Sequence, residues 1–175
     1  LVRRHEDRRD DLRDAAGEDR EHREAGEDEG APLEEAMPRA LAARVDKVVV
    51  VGLSMGGALT LRLGADHPEV AGLVCINPAT QPQAPEVVAM LQGMIDGGTH
   101  LIPAIGSDIA DPAAHESAYE ATPLAPLLSL VNDGLAPLAS EYGRMHQPLL
   151  LLSSPQDHVV EPVQGDFLAA NYGGP

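Results

Sequence analysis

Tryptophan is absent from the sequence, phenylalanine occurs once, and aromatic residues make up only 2% of 175 positions. A core built on ring stacking is thereby excluded, and the interior must come from Leu, Val, Ala, Ile and Met. Cysteine also occurs once, as Cys75, which excludes an internal disulfide framework and fits a reducing compartment. There is no run of about 18 apolar residues, so no stable membrane insertion is expected. The N-terminus is charged where a secretion signal would have an apolar core, and a cytoplasmic protein is the expectation. Basic residues are scarce: 12 Lys and Arg stand against 28 Asp and Glu, a formal charge of −16. Nucleic acid and anionic membrane, which both need basic patches, are poor partners for such a chain. No His, Cys and carboxylate cluster has metal-ligand spacing, so no metal or cofactor is implied.

What charge there is lies unevenly. Residues 1–30 hold 7 of the basic and 12 of the acidic residues, and Leu12 is the one large aliphatic side chain between Arg3 and Gly30. Residues 1–32 therefore read as a charged low-complexity segment that is disordered or transiently helical, since it can bury too little surface to offset its ordering entropy. Its functional reading is an interaction tail; its plainer reading is solvated chain without a role. A GC-rich gene read in a shifted frame would give the same Arg, Asp, Glu, Gly and Ala mixture.

From residue 33 the pattern changes to that of one acidic globular domain, 33–175. Leu33, Met37, Leu41 and Val45 recur at helical spacing over 33–44, with Pro38 as a kink or start. Val45–Val51 is a nearly continuous β-branched run ended by Gly52, the pattern of a strand buried on both faces of a parallel sheet. A helix is expected over Met55–Asp66, stopped at His67-Pro68, and a second buried strand over Val70–Ile76. Strand, helix and strand over about thirty residues make a βαβ unit. Residues 77–147 carry Pro- and Gly-rich connections and two helical stretches, Pro85–Ile95 and Pro123–Tyr142. So long an excursion reads as a helical insertion, about 80–146, over the sheet. Pro148–Ser153 is a third strand, and a short helix follows over Val163–Asn171.

The informative residues are Gly52-Leu53-Ser54-Met55-Gly56, with a further Gly57. A buried strand ends just before this G-x-S-x-G and an apolar helix starts within it, the setting of a nucleophile elbow. Such a turn strains the serine backbone and lifts its hydroxyl clear of the sheet. Side chains at Gly52 and Gly56 are expected to collide across the turn, and the Met55 N–H to face the site of a developing oxyanion. A phosphate-binding P-loop is excluded because Ala58-Leu59 follow the last Gly where Lys-Ser/Thr is required. The Gly-x-Gly-x-x-Gly dinucleotide fingerprint is absent.

The stretch V-V-V-V-G-L-S-M-G-G-A-L-T-L-R-L-G-A-D-H-P, followed by G-L-V-C-I-N-P-A, resembles the carboxylesterase and monoacylglycerol-lipase group of the α/β-hydrolase superfamily. The likeness covers about residues 45–175. It implies an α/β architecture, here a partial α/β-hydrolase fold: a parallel sheet flanked by helices with a helical lid. It further implies a Ser-Asp-His triad in that chain order and a small-molecule acyl ester as substrate. Ser54 matches the nucleophile and Asp157, in the loop after P-L-L-L-L-S-S, matches the triad acid. Both follow the C-terminal ends of parallel strands and so share one sheet edge. Asp157 also reads as a turn carboxylate after Pro155. Asn77 follows the second strand on that edge and is expected to border the substrate pocket; Met90 and Met94 are expected to line it or, equally, to pack the insertion.

The family's histidine follows one more strand beyond the acid, and the sequence stops before it. His5 and His22 lie in the charged segment. His67 closes the helix that starts at Ser54, roughly 16 Å away, and His146 precedes the third strand on the wrong edge. His158 adjoins Asp157, and neighbouring side chains diverge. His100 and His115 belong to the insertion. Residues 1–44 also contain no H-G-type oxyanion loop. The expectation is an incomplete, inactive copy of a carboxylic ester hydrolase, with an open edge on the strand before Ser54. A non-catalytic scaffold or interaction protein of the same fold is the alternative, and acyltransferase or peptidase chemistry would use the same elbow.

Overall fold

The computed structural model describes residues 41, 43–106, 109–111, 113, 114 and 118–175. The chain divides into two units, Leu1–Ala43 and Arg44–Pro175, and the fold below is that of the second. The charged segment 1–32 and nearly all of the helix expected over 33–44 lie outside the described residues.

Strand β1 (Val49–Leu53) is followed by helix α1 (Met55–Asp66) and strand β2 (Gly72–Ile76). The strand starts later than its β-branched run suggests and carries on through Gly52 and Leu53, ending where Ser54 turns to φ 54°. β2 starts at Gly72 and not Val70, because the Val70 N–H closes a turn on the His67 carbonyl at 3.1 Å. Beyond β2 come helix α2 (Pro85–Asp96) and short strands β3 (Leu101–Pro103) and β4 (Ala121–Pro123). A single helix expected over Pro123–Tyr142 is instead divided into α3 (Leu124–Ser129), a π-helical turn (Leu130–Leu135), α4 (Ala136–Ala139) and a 3₁₀ turn (Tyr142–Arg144). Pro137 has no N–H to continue the ladder, and the Ala136 N–H bonds Val131 in the wider π spacing. Strand β5 (Leu149–Leu152) and helix α5 (Val163–Asn171) complete the unit.

Among the described residues the sheet has the order β1-β2-β5, all parallel. Its register sorts the side chains onto two unlike faces. Val50, Leu73 and Leu149 stand in one row and Gly52, Cys75 and Leu151 in the next. This face packs against the core of Leu61 from α1, Leu138, Tyr142, Met145 and Leu168 from α5. The low aromatic content misleads here: Tyr142 is fully buried, and Phe167 meets it edge-to-face with ring centres 6.3 Å apart. The Tyr142 hydroxyl donates to the Thr80 carbonyl at 3.0 Å, so its polar tip is satisfied.

On the other face lie Val49, Val51 and Leu53, beside Val74, Ile76, Leu150 and Leu152. Val51 is 62% exposed and Leu150 54%. A strand covered on both faces is what V-V-V-V suggests, but the described residues cover only one. An apolar sheet face of this kind drives association, and among the described residues β1 is also an edge strand. The 175-residue chain is expected to bind a hydrophobic dye and to self-associate with rising concentration. The double substitution Val51→Thr, Leu150→Thr should reduce both, as read by dye fluorescence and sedimentation.

Burial raises the Cys75 thiol from an ordinary 9.0 to about 12. Burial first, and the neighbouring Cys75 second, raise the Tyr142 and Tyr172 phenols, Tyr172 to about 12. All three groups hold their protons more tightly in the folded state, so their contribution is intact below the unfolded values and is lost as pH rises through the folded ones. The urea midpoint should therefore fall as pH climbs from 9.0 towards about 12. Cys75→Ala should flatten that decline by up to about 1.4 kcal/mol per pH unit. In the folded protein Cys75, wholly buried, should resist thiol reagents at neutral pH.

Candidate active site

Ser54 has φ 54° and ψ −118°, a backbone conformation that side chains rarely adopt and that costs about 1–3 kcal/mol. Four backbone hydrogen bonds hold it there. Its N–H donates to the Ile76 carbonyl at 2.9 Å, and its own carbonyl accepts from Gly57 at 3.0 Å, Ala58 at 3.3 Å and Ala79 at 3.1 Å. Although Ser54 stands at the N-cap of α1, its hydroxyl caps no helix amide. Met55 opens α1, so its N–H is one of the first-turn donors without a partner inside the helix.

The glycines divide differently from the expected pattern. A Cβ on Gly52 would strike the Gly56 carbonyl and the Thr60 hydroxyl, so this position admits hydrogen alone. A Cβ on Gly56 would meet nothing within 4 Å; the expected collision there does not occur, because the elbow turns Gly56 away from the crowded side. Gly57 is the second constrained position, since its Cβ would lie 2.6 Å from Pro78 Cβ and 2.9 Å from Pro78 Cα.

Asp157 lies in the loop after β5 and is half-buried. Its Oδ1 accepts the N–H groups of Val159 and Val160, both at 2.8 Å. One carboxylate oxygen thus shapes the local turn, and Oδ2 is left for a further donor. Ser54, Asn77 and Asp157 line one cavity of about 860 Å³. The rest of its described lining is neutral, with Ile105, Ile109 and Tyr119 as its larger apolar members. These three lie between β3 and β4, whose three-residue strands with Pro103 and Pro123 at their ends give almost no periodic signal. Met90 and Met94 are not brought to this cavity. They lie on α2, whose buried residue is Leu91, and Met90 is 56% exposed.

None of the described histidines is among the residues that line this cavity. His67 ends α1 with Nδ1 3.1 Å from Glu69 Oε1. His146 has Nδ1 3.4 Å from the Gly173 carbonyl and lines a separate recess of about 340 Å³ with Glu141 and Arg144, at the strand N-termini. His100 precedes β3 and is exposed, and His158 follows Asp157 in the chain and is exposed. His5, His22 and His115 lie outside the described residues. Among the described residues no group of three His, Cys, Asp or Glu side chains could hold a metal ion, and no helix is long and apolar enough to cross a membrane.

Residues 33–174 match the family described as Serine aminopeptidase, S33. A thermostable monoacylglycerol lipase of Bacillus sp. (strain H-257) is 39% identical over 127 residues, 71% of this chain and 48% of that protein. A structure from work on the metagenome-derived lipolytic enzymes LipS and LipT superposes with a TM-score of 0.70 at 34% identity, covering 80% of this chain and 56% of the other. The monoacylglycerol lipase of Paleococcus ferrophilus superposes with a TM-score of 0.54 at 20% identity, over 81% of this chain and 62% of its own, a likeness of fold. The chain spans about half the length of the Bacillus lipase.

The glycine geometry gives a direct test by urea denaturation. Gly52→Ala and Gly57→Ala should each destabilise by about 2 kcal/mol or more, because backbone or proline ring must move. Gly56→Ala should be neutral or stabilising by up to about 1 kcal/mol, as Ala is the better helix former.

Proposed function

This chain belongs to the serine aminopeptidase S33 family of α/β-hydrolases, and from that premise we propose that it carries the nucleophile and acid of an ester-cleaving triad. Ser54 is the nucleophile, Asp157 the acid that orients a histidine, and the Met55 N–H an oxyanion donor. The observation that carries this reading is the strained Ser54 turn, which leaves the hydroxyl uncommitted beside a cavity that Asp157 also lines.

The chemistry follows from those positions. Ser54 Oγ attacks the acyl carbon as an imidazole takes its proton, and the carbonyl oxygen gains negative charge against the Met55 N–H. Collapse expels the alcohol, which receives the proton from the imidazolium. Water then repeats the attack on the acyl-enzyme and frees the acid and Ser54. Asp157, through Oδ2, would accept from imidazole Nδ1 and fix its tautomer. An ester is favoured over a peptide N-terminus because an aminopeptidase must neutralise an α-ammonium. Asp157 is the one charged group in the described lining, and two amides already occupy one of its oxygens. The resemblance to the Bacillus lipase points the same way.

None of the described histidines reaches this role in our reading, and residues 1–44 offer no second oxyanion loop. We expect negligible turnover from the 175-residue polypeptide alone. Its Ser54 and Asp157 are nevertheless set for an imidazole supplied from outside, and the cavity has room for one.

The test uses the full chain, a fluorophosphonate probe and millimolar imidazole. Ser54 should be labelled only when imidazole is present, with no labelling of Ser54→Ala and roughly tenfold or more less of Asp157→Asn. Silence with imidazole would favour a non-catalytic scaffold. Turnover of a short-chain nitrophenyl ester without imidazole, abolished by Ser54→Ala, would overturn the reading of an incomplete site.

A further inference from the structure

Ser54 is one of two described non-glycine residues with positive φ; the other is Asn77, at φ 40°. They are neighbours in space, because the Ser54 N–H donates to the carbonyl of Ile76, the residue before Asn77. The Ser54 carbonyl in turn accepts from Ala79, two residues after it. Strain of this sort persists only where surrounding bonds fix it, and it gathers at functional sites. Asn is one of the few side chains that tolerate the left-handed region.

Asn77 also grips the neighbouring strand twice. Its N–H donates to the Leu152 carbonyl at 2.8 Å, and its side-chain Oδ1 accepts the Ser154 N–H at 2.7 Å. The two bonds straddle Ser153. Ser154 is itself the anchor of the loop that follows: its carbonyl receives the Asp157 N–H at 3.4 Å, and its hydroxyl receives the Gln156 N–H at 3.3 Å. An unbroken series of hydrogen bonds thus runs from the Ser54 turn, through the end of β2, to the loop that carries Asp157. Among the described residues, the one side-chain bond crossing from the end of β2 to that loop belongs to Asn77.

We infer that Asn77 is a positioning residue, whose side-chain oxygen holds the Asp157 loop in register with the Ser54 turn. This rests on the reading of Ser54 and Asp157 as a catalytic pair. Asn77 acts through Ser154 and touches neither the acyl carbon nor the attacking oxygen.

Two substitutions separate the bridge from the backbone strain. Asn77→Gly fits φ 40° without strain but has no acceptor for the Ser154 N–H. Asn77→Asp keeps both the backbone tolerance and the acceptor. Amide hydrogen exchange of the full chain should show Ser154 exchanging roughly tenfold faster in Asn77→Gly and at its original rate in Asn77→Asp. Val74 and Cys75 in β2 should keep their protection in both. Imidazole-dependent fluorophosphonate labelling of Ser54 should fall roughly tenfold in Asn77→Gly and recover in Asn77→Asp. Unchanged Ser154 exchange in Asn77→Gly overturns the bridge, as does failure of Asn77→Asp to restore it. Loss of Val74 and Cys75 protection in Asn77→Gly would make Asn77 a general structural residue and defeat the proposal. If exchange behaves as expected and the unsubstituted chain never labels, the bridge holds a loop and the catalytic-pair reading fails, taking the positioning role with it.

Discussion

Four backbone hydrogen bonds converge on Ser54 and hold it at a φ that its side chain resists. Two of them are made inside its own turn and helix, to Gly57 and Ala58. The other two reach the far end of β2, through Ile76 and Ala79. The bend therefore depends on parallel pairing, since β2 must end level with β1 for Ile76 to receive the Ser54 amide. The register Leu53 opposite Ile76 supplies that condition. It also explains the two glycines that cannot carry a side chain. Gly52 faces the returning helix, and Gly57 faces Pro78 in the chain that leaves β2.

Parallel order has a second effect. Every strand of the sheet delivers its C-terminal end to one rim, so the loops after β1, β2 and β5 meet there. Ser54, Asn77 and Asp157 are drawn from those three loops. The cavity they share is also lined by residues of β4 and of the chain between β3 and β4, among them Ile105, Tyr119 and Thr122. The opposite rim collects His67 and His146 with their own partners.

Much of this was legible in the residues. The helix after Ser54 has the bounds that Met55 and His67-Pro68 suggest, and the last helix those that Val163 and Asn171 suggest, because breakers punctuate both. The rim that holds Ser54 and Asp157 followed from strand order alone. Gly56 did not follow, since a pattern of glycines says where space is needed only when the turn is known atom by atom. The pairing of β3 with β4 was invisible, as three-residue strands give no alternation to read. Nor does composition reveal that Tyr142 and Phe167, so few in number, sit together in the core. The bond from Asn77 to Ser154 joins positions 77 residues apart, a relation that no local spacing encodes.

Gln164 on α5 accepts the N–H groups of Thr80 and Gln81 through its side-chain oxygen, at 2.8 and 2.7 Å, and its backbone carbonyl takes the Thr80 hydroxyl. Thr80, wholly buried, belongs to the same segment that ties down Ser54 through Ala79. These partners are separated by 84 positions. On a ribosome, where a chain grows at about 5–20 residues per second, the segment behind Ser54 emerges seconds before the residue that fastens it. The hydroxyl thus acquires its fixed setting only once α5 has emerged, and a nascent chain stalled before α5 carries the elbow sequence without a finished elbow.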